Sequence, residues 1–587
     1  MKKIRLMLLL ALLALAVSLC SCADQINNAI SNATDSIDSL VENIPDVDSF
    51  LGTDEGDGEG EPSHVCSLGE WEETLAPTCI ENGLRRRSCE CGEFEEEAVL
   101  ALGHSFGEDQ MCVNNCQTAY YTDGLIFALC TEDGGISDCT VTGYEGTESE
   151  VTIPHVYMSF PVTSIREGAF QGNEIIESLT ISGTDLSIGE EAFASLAMLR
   201  EVTFSEGVSS IGRNAFAGCT QLSTVTFNAD ISTVENNAFK NCSSIEGVYV
   251  NSLAQLCAIS FGNMNANPLS HAEKLYIDSN ETTSIEINED ITSIGSYAFA
   301  GYASLSELSI NSPSLVIGSN AFYGCTSLDT VTLLLDTIGE NAFNGCTAMT
   351  TLDIDNATEI GASAFYGCSL LEEIIIPSSV TTLGNNVFSN CTGLLSATLN
   401  GDITSMGFYL FSGCSQLSSV TVNSGTTLIN SFAFENCVSL EEIALPSTVS
   451  HLGASAFKGC TSLYAVSLSN SITSIEPETF SGCILLEEIP LPTNLETIGV
   501  NAFYGCESLT SLALPTALES IGAGAFYGCY ELTEIIIPIS VVAIGDSAFM
   551  QCDSITVKCA HEEAPEGWHE RWYGDVDSSN IIWSYEA

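Results

Sequence analysis

From Ile317 to Leu333 the chain reads IGSNAFYGCTSLDTVTL, and this phrase, with small variations, is repeated along most of the sequence. The aliphatic residue that opens it recurs at Ile165, Ile188, Ile211 and Val234, then at Ile294, Ile317, Ile338 and Ile360. From Ile360 onward every step is 23 residues: Leu383, Met406, Ile429, Leu452, Ile475, Ile498, Ile521 and Ile544. A period of this length marks a solenoid, in which each unit is one supersecondary element that cannot bury its own apolar residues. Within the unit, Leu328, Val331 and Leu333 are spaced three and two apart. The last pair has strand period, so each coil should supply one short parallel strand. AFYGC before it should turn Phe322 and Cys325 inward through a single helical or 3-10 turn. A second extended piece leads to the next unit, with Asn and Gly at the corners. Sixteen units are clear, and LYIDSNETTSIEI in the 60-residue gap before Ile294 reads as a seventeenth, carrying an insertion at about 251–285. The expected fold is therefore a mostly β solenoid of about 17 coils. At roughly 4.8 Å per coil it would be on the order of 80 Å long.

The unit IGxxAFxGCxxLxxVxLP resembles the BspA-type leucine-rich repeat of bacterial surface proteins. DGLIFALCTEDGGISDCTVTGYEG and VTIPHVYMSFPVTSIREGAF resemble that family's N-terminal lead-in, and NMNANPLSHAEKLYI its mid-array variant. CDSITVKCAHEEAPEGWHERWYG with IIWSYEA resembles its C-terminal cap, with Trp568, Trp572 and Trp583 over the last coil. The resemblance implies a leucine-rich-repeat scaffold over about 118–587 and a role in adhesion to host proteins or other microbes.

The flanks divide the rest. Lys2, Lys3 and Arg5 precede an apolar run from Leu6 to Leu19, the pattern of a secretory signal and too short for a typical membrane span. Leu19-Cys20-Ser21-Cys22 resembles a bacterial lipobox with Cys22 as the lipidated first mature residue. The expected organisation is a signal peptide at 1–21, an acidic flexible tether at 22–63, a small Cys-rich module at 64–117 and a lead-in at 118–164. The repeats follow at 165–557 and a cap at 558–587. Localisation follows as exported and membrane-anchored, the lipid being the sole membrane contact.

Charge narrows the partners. Asp and Glu number 77 against 14 Lys and Arg, for a net charge of −63, and no Lys or Arg occurs between Leu275 and Phe457. Such a surface repels nucleic-acid phosphates and anionic lipid headgroups. It also serves the solubility of a long array.

Thirteen of the 25 cysteines fall in one column three residues after the Phe, from Cys219 to Cys552. In-register coils hold equivalent side chains parallel about 4.8 Å apart, whereas bonded cysteines need facing Cβ atoms about 3.8 Å apart. The column is therefore expected to be free thiols packed in the core. Cys130 and Cys139 differ: folding LCTEDGGISDC about Gly134-Gly135 would set them opposite each other as a cross-strand disulfide. In the module, GEWEETLAPTCIENGLRRRSCECGEFEEEAVLALGHSF resembles a small repeat common on Gram-positive surface proteins. Disulfides, a zinc on Cys79, Cys89, Cys91 and His104, and free thiols all remain open there. Cys-x-Cys in place of Cys-x-x-Cys argues against zinc, so no metal or other cofactor is expected. Arg85–Arg87 should pair with the neighbouring GEFEEE.

Catalytic signatures are absent from the sequence: no His-Glu-x-x-His, no Gly-x-Ser-x-Gly, no phosphate loop. Glu372-Glu373, Glu441-Glu442 and Glu487-Glu488 recur at equivalent positions, but adjacent strand residues face opposite ways, unlike glycosidase carboxylates. No enzyme is expected. A ligand would meet the residue between the last two apolar strand positions: Thr180, Thr203, Thr226, Tyr249, Ser309, Thr332, Thr398 and Thr421. This hydroxyl-rich column suits a solvated sheet or a broad face for extracellular proteins or glycans. The expected function is a surface interaction protein. A structural envelope protein without a ligand and an exported carbohydrate-processing enzyme sited in the insertion are the alternatives, and the oligomeric state is open.

Overall fold

A computed structural model describes residues 70, 72–75, 83–88, 94–99, 120–132, 135–401 and 403–586. They belong to two compact units, one of residues 1–169 and 180–187, the other of 170–179 and 188–587.

In the first unit, β1 (Glu72–Leu75), β2 (Gly83–Ser88) and β3 (Phe94–Val99) form an antiparallel meander. Its register sets Arg85, Arg86 and Arg87 opposite Glu97, Glu96 and Glu95. β4 (Leu125–Glu132) and β5 (Gly135–Tyr144) form a second hairpin. β5 then pairs in parallel with Phe160–Ile165, setting Cys139 beside Val162.

The second unit is the repeat array. Most coils carry two short strands. The strand with the LxxVxL residues pairs in parallel and in register with its neighbours, so Leu308, Val331 and Leu352 align inward and Ser309, Thr332 and Asp353 outward. The strand ending in the opening aliphatic does the same, as in Ile475, Ile498, Ile521 and Ile544. Between them, AFxGC makes the expected helical or 3-10 turn only in part. Cys325 N–H closes a single turn on the Phe322 carbonyl (3.2 Å), but Phe322 N–H donates to Ala342 of the next coil (2.9 Å) and Gly324 N–H to Asn344 (2.8 Å). Two of the turn's five N–H donors thus serve the neighbouring coil, in a turn entered through a left-handed residue two before each Phe. From Tyr297 to Ser547 its φ lies between 52° and 63° in every coil. Asn fills many of these positions, being tolerant of that conformation. Tyr409 and Phe432 occupy two adjacent ones, with their rings stacked at 4.5 Å. The Gly after the opening aliphatic answers a different need: a Cβ on Gly318 would stand 2.7 Å from the Ile294 carbonyl and the Ser296 nitrogen of the coil before.

The column Phe residues form two buried stacks, one from Phe170 to Phe239 and one from Phe299 to Phe549. From Phe299 to Phe549 successive centroids are 5.1–5.8 Å apart and the rings are nearly parallel. Trp572 ends the stack edge-on at 5.9 Å, and Trp568 packs on it while donating from Nε1 to the Val541 carbonyl (3.2 Å).

The column is interrupted where the 60-residue gap was counted. After Gly247–Val250 comes helix α1 (Leu253–Ala258), capped by Ser252 Oγ, which accepts from Gln255 N–H (3.2 Å). Two 3-10 turns follow, Met264–Ala266 and Pro268–Ser270. Lys274–Ile277 then pairs in parallel with Gly247–Val250 and antiparallel with Asn280–Thr282. The next strand, Ser284–Ile287, starts a new sheet with Glu307–Ile310.

Candidate interaction face

The cysteine column can be set aside first, because its chemistry is structural. All 13 thiols are buried and free. Each Sγ donates to the carbonyl of the Phe one coil earlier, as Cys460 does to Phe434 (3.1 Å) and Cys483 to Phe457 (3.2 Å). That carbonyl also accepts the Cys N–H of its own coil. Burial pushes the Cys460 thiol up to about 12, so the nucleophilic thiolate is suppressed.

The hairpin cysteines are not bonded. Between one register shift at Ile126/Phe127 and another at Cys130/Thr131, the hairpin sets Cys139 opposite Leu129 and Cys130 opposite Asp138. Successive strand residues face opposite ways, so one residue of slip separates the two sulfurs, and both thiols are free. Cys139 Sγ donates to the Tyr157 carbonyl (3.7 Å), while Cys130 Sγ lies 3.4 Å from Thr140 Oγ1. The lipobox Cys22 and the module's Cys79, Cys89, Cys91 and His104 lie outside the described residues.

The outward strand column is brought together in blocks. Thr203, Thr226, Tyr249 and Tyr276 are in register, and the two tyrosine rings stack at 4.4 Å. Tyr276 Oη donates to Glu281 (3.2 Å), which also pairs with Lys274 (3.4 Å). The hairpin at Asn280–Thr282 closes this block. Ser309, Thr332 and Asp353 form a second, and Ile375, Thr398 and Thr421 a third. Thr180 sits half-buried in Ser178–Ile181. The column is thus hydroxyl-rich but not one continuous ladder.

Further along the same face lies a groove of about 760 Å³ that the hydroxyl pattern did not single out. Its floor carries Ala444, Ser467 and Pro490, small outward residues where other coils place Thr or Ile. Tyr464 and the Glu441-Glu442 and Glu487-Glu488 pairs rim it. Pro490 lacks an N–H, and past Ala465 the strand shrinks to a single bridge with Glu488. The sequence signal was the coincidence of small outward residues with paired glutamates in neighbouring coils. Six cations pair elsewhere: Arg200 with Glu177, Arg213 with Glu190, Lys274 with Glu281, Lys458 with Glu478, Lys558 with Glu534, and Arg571 with Asp546. The four groove glutamates have no cationic partner among the described residues.

Comparison with known proteins bears on the scaffold. No curated protein sequence matches the chain. Solved structures do. A leucine-rich repeat protein from Bacteroides ovatus is 22% identical, with a TM-score of 0.44, covering 79% of this chain and 99% of that one. A leucine-rich cell surface protein from Faecalibacterium prausnitzii is also 22% identical, with a TM-score of 0.29 and coverage of 80% and 98%. The pneumococcal vaccine antigen PcpA is 18% identical, with a TM-score of 0.31 and coverage of 60% and 98%. The model of the BspA-type leucine-rich repeat region matches at 163–278, 270–395, 336–464, 394–493 and 427–556. These segments overlap into one span covering more than half of the sequence, and the chain belongs to the BspA-type leucine-rich repeat family.

Proposed function

We propose that this chain is a cell-surface interaction protein, held on the membrane by lipid at Cys22, that engages extracellular proteins or glycans through the outward strand face of its repeats. Adhesion to host or microbial surfaces is the role this reading favours. The observation that carries it is the open strand face. Ile375 stays 50% exposed on it, and a groove with unpaired carboxylates is cut into it. Solenoids bind through such extended surfaces, and none of the described residues covers this one.

Capture of surface proteins and glycans by the full chain, against an acidic protein of matched charge, tests the reading. Retention above the control that falls on substituting Thr203, Thr332 and Ile375 with lysine supports it. Retention equal to the control would leave a spacer with no specific ligand. Labelled palmitate should be incorporated by cells expressing the chain, and Cys22→Ala should abolish incorporation; labelling that survives the substitution would remove the anchor from the proposal.

A further inference from the structure

The groove is narrower in chemistry than the face that holds it. Its floor is low because Ala444, Ser467 and Pro490 project little, and this leaves the core residues Val420 and Leu468 half-exposed in its lining. Its rim repeats at a fixed interval. Glu441 and Glu487 occupy the same position two coils apart with Tyr464 between them, and Glu442 and Glu488 do likewise around Ala465. Each coil step here is 5.2–5.6 Å, as the Phe434, Phe457 and Phe480 rings record. The two acidic pairs therefore stand roughly 10 Å apart along the array.

Like charges held at this spacing on a surface without local cations repel one another, and a bound partner carrying opposite charge relieves that repulsion. A single metal ion does not match the arrangement, because among the described residues no three carboxylate, thiol or imidazole groups converge on one point. A chain with spaced cations does. Three residues of polyproline II advance about 9 Å and return to the same face, close to the two-coil interval. An ordinary β-strand places same-face residues about 6.6 Å apart, which fits it less well. Tyr464, 45% exposed midway between the acidic pairs, offers a ring on which a proline or an arginine can pack.

We propose that the groove takes an extended, polyproline-II-like segment of a partner protein with lysine or arginine at every third residue. The proposal rests on the outward strand face being the contact surface.

The test is fluorescence anisotropy of a labelled peptide, lysine at every third position with prolines between, titrated with the full chain at low and high salt. Binding should appear at low salt and weaken as salt screens it, and the peptide with glutamate in place of lysine should not bind. Glu441→Gln/Glu442→Gln/Glu487→Gln/Glu488→Gln should weaken it on the order of tenfold. Ala444→Trp, which fills the floor without changing charge, should weaken it as well. The charge-matched cap variant Glu562→Gln/Glu563→Gln/Glu566→Gln/Glu570→Gln should bind as the parent does, and circular dichroism melts check that each variant is folded. Equal loss in groove and cap variants would make the attraction diffuse and overturn the proposal, as would parent-like binding by both groove variants. If the full chain still captures surface ligands while either result holds, the groove assignment falls and the interaction reading stands. If capture fails as well, both fall.

Discussion

The regular coils from Phe299 to Phe549 and the variant stretch from Asn251 to Tyr302 solve the same packing problem by different means. In a regular coil each buried group meets its own equivalent one step away: Phe on Phe, Leu beside Leu, a thiol on the Phe carbonyl behind it. One residue choice is copied along the array, and each copy satisfies the next. The variant keeps an equivalent neighbour only at its strand, Lys274–Ile277 beside Gly247–Val250, and is otherwise held by residues used once. Asn267 is fully buried; its amide donates to the Tyr297 and Ala298 carbonyls (2.7 and 2.9 Å), and its Oδ1 accepts from Leu269 N–H (2.9 Å). Tyr302 replaces the column cysteine, donating to the Thr282 carbonyl (2.7 Å) and accepting from Leu275 N–H (3.2 Å). Repetition spreads stability over many equivalent contacts, whereas an interruption concentrates it in a few polar groups that must all be satisfied.

Substitutions in the two regions should separate these modes. Phe457→Ala empties a slot between two stacked rings in the middle of the regular array, and should cost about 3–5 kcal/mol in urea unfolding. Hydrogen exchange should show the loosening spreading to coils on both sides. Asn267→Leu keeps volume but strands two buried carbonyls and an N–H, a loss of about 2–3 kcal/mol. Its exchange should quicken around 253–302 and leave the coils beyond Cys437 untouched; uniform quickening would dissolve the distinction between the regions. Cys460→Ala removes one thiol donor and a little volume, for about 1 kcal/mol, and native-state thiol titration should find the column unreactive until the array unfolds.

The smallest effect should come from pH. Burial holds the His271 imidazole below its usual range, and its Nε2 has no partner. The unfolded chain, with a histidine pKa of about 6.5, therefore takes up the proton first. Stability should be level above about pH 6.5 and fall as pH drops below it toward the lower folded value. His271→Phe should flatten that dependence in urea midpoints, leaving the carboxylate contribution common to both proteins.

Much of this could be read before any coordinates. The Phe, Cys and Leu columns, the 23-residue step and the acidic balance are local patterns, and stacking repeats a local pattern without altering it. The inertness of the thiols followed from the coil spacing against disulfide geometry. The cross-strand pairing of Cys130 with Cys139 failed because the segment between the two register shifts is offset by one residue from the register at Leu125 and Ile126, and a bulge leaves no clear mark in LCTEDGGISDC. The AFxGC turn read as self-contained, a helical or 3-10 turn, because its donors to the next coil depend on a left-handed residue whose effect is felt across coils.

The sequence by itself determined the scaffold, since in-register stacking turns a one-dimensional period directly into a core. Only the tertiary structure decided which Phe carbonyl each thiol meets, that Asn267 and Tyr302 bridge the interruption, and that Ala444, Ser467 and Pro490 combine with distant glutamates into a groove. Those contacts join residues 20 to 46 positions apart, and their geometry depends on the offset between coils, which no single repeat contains.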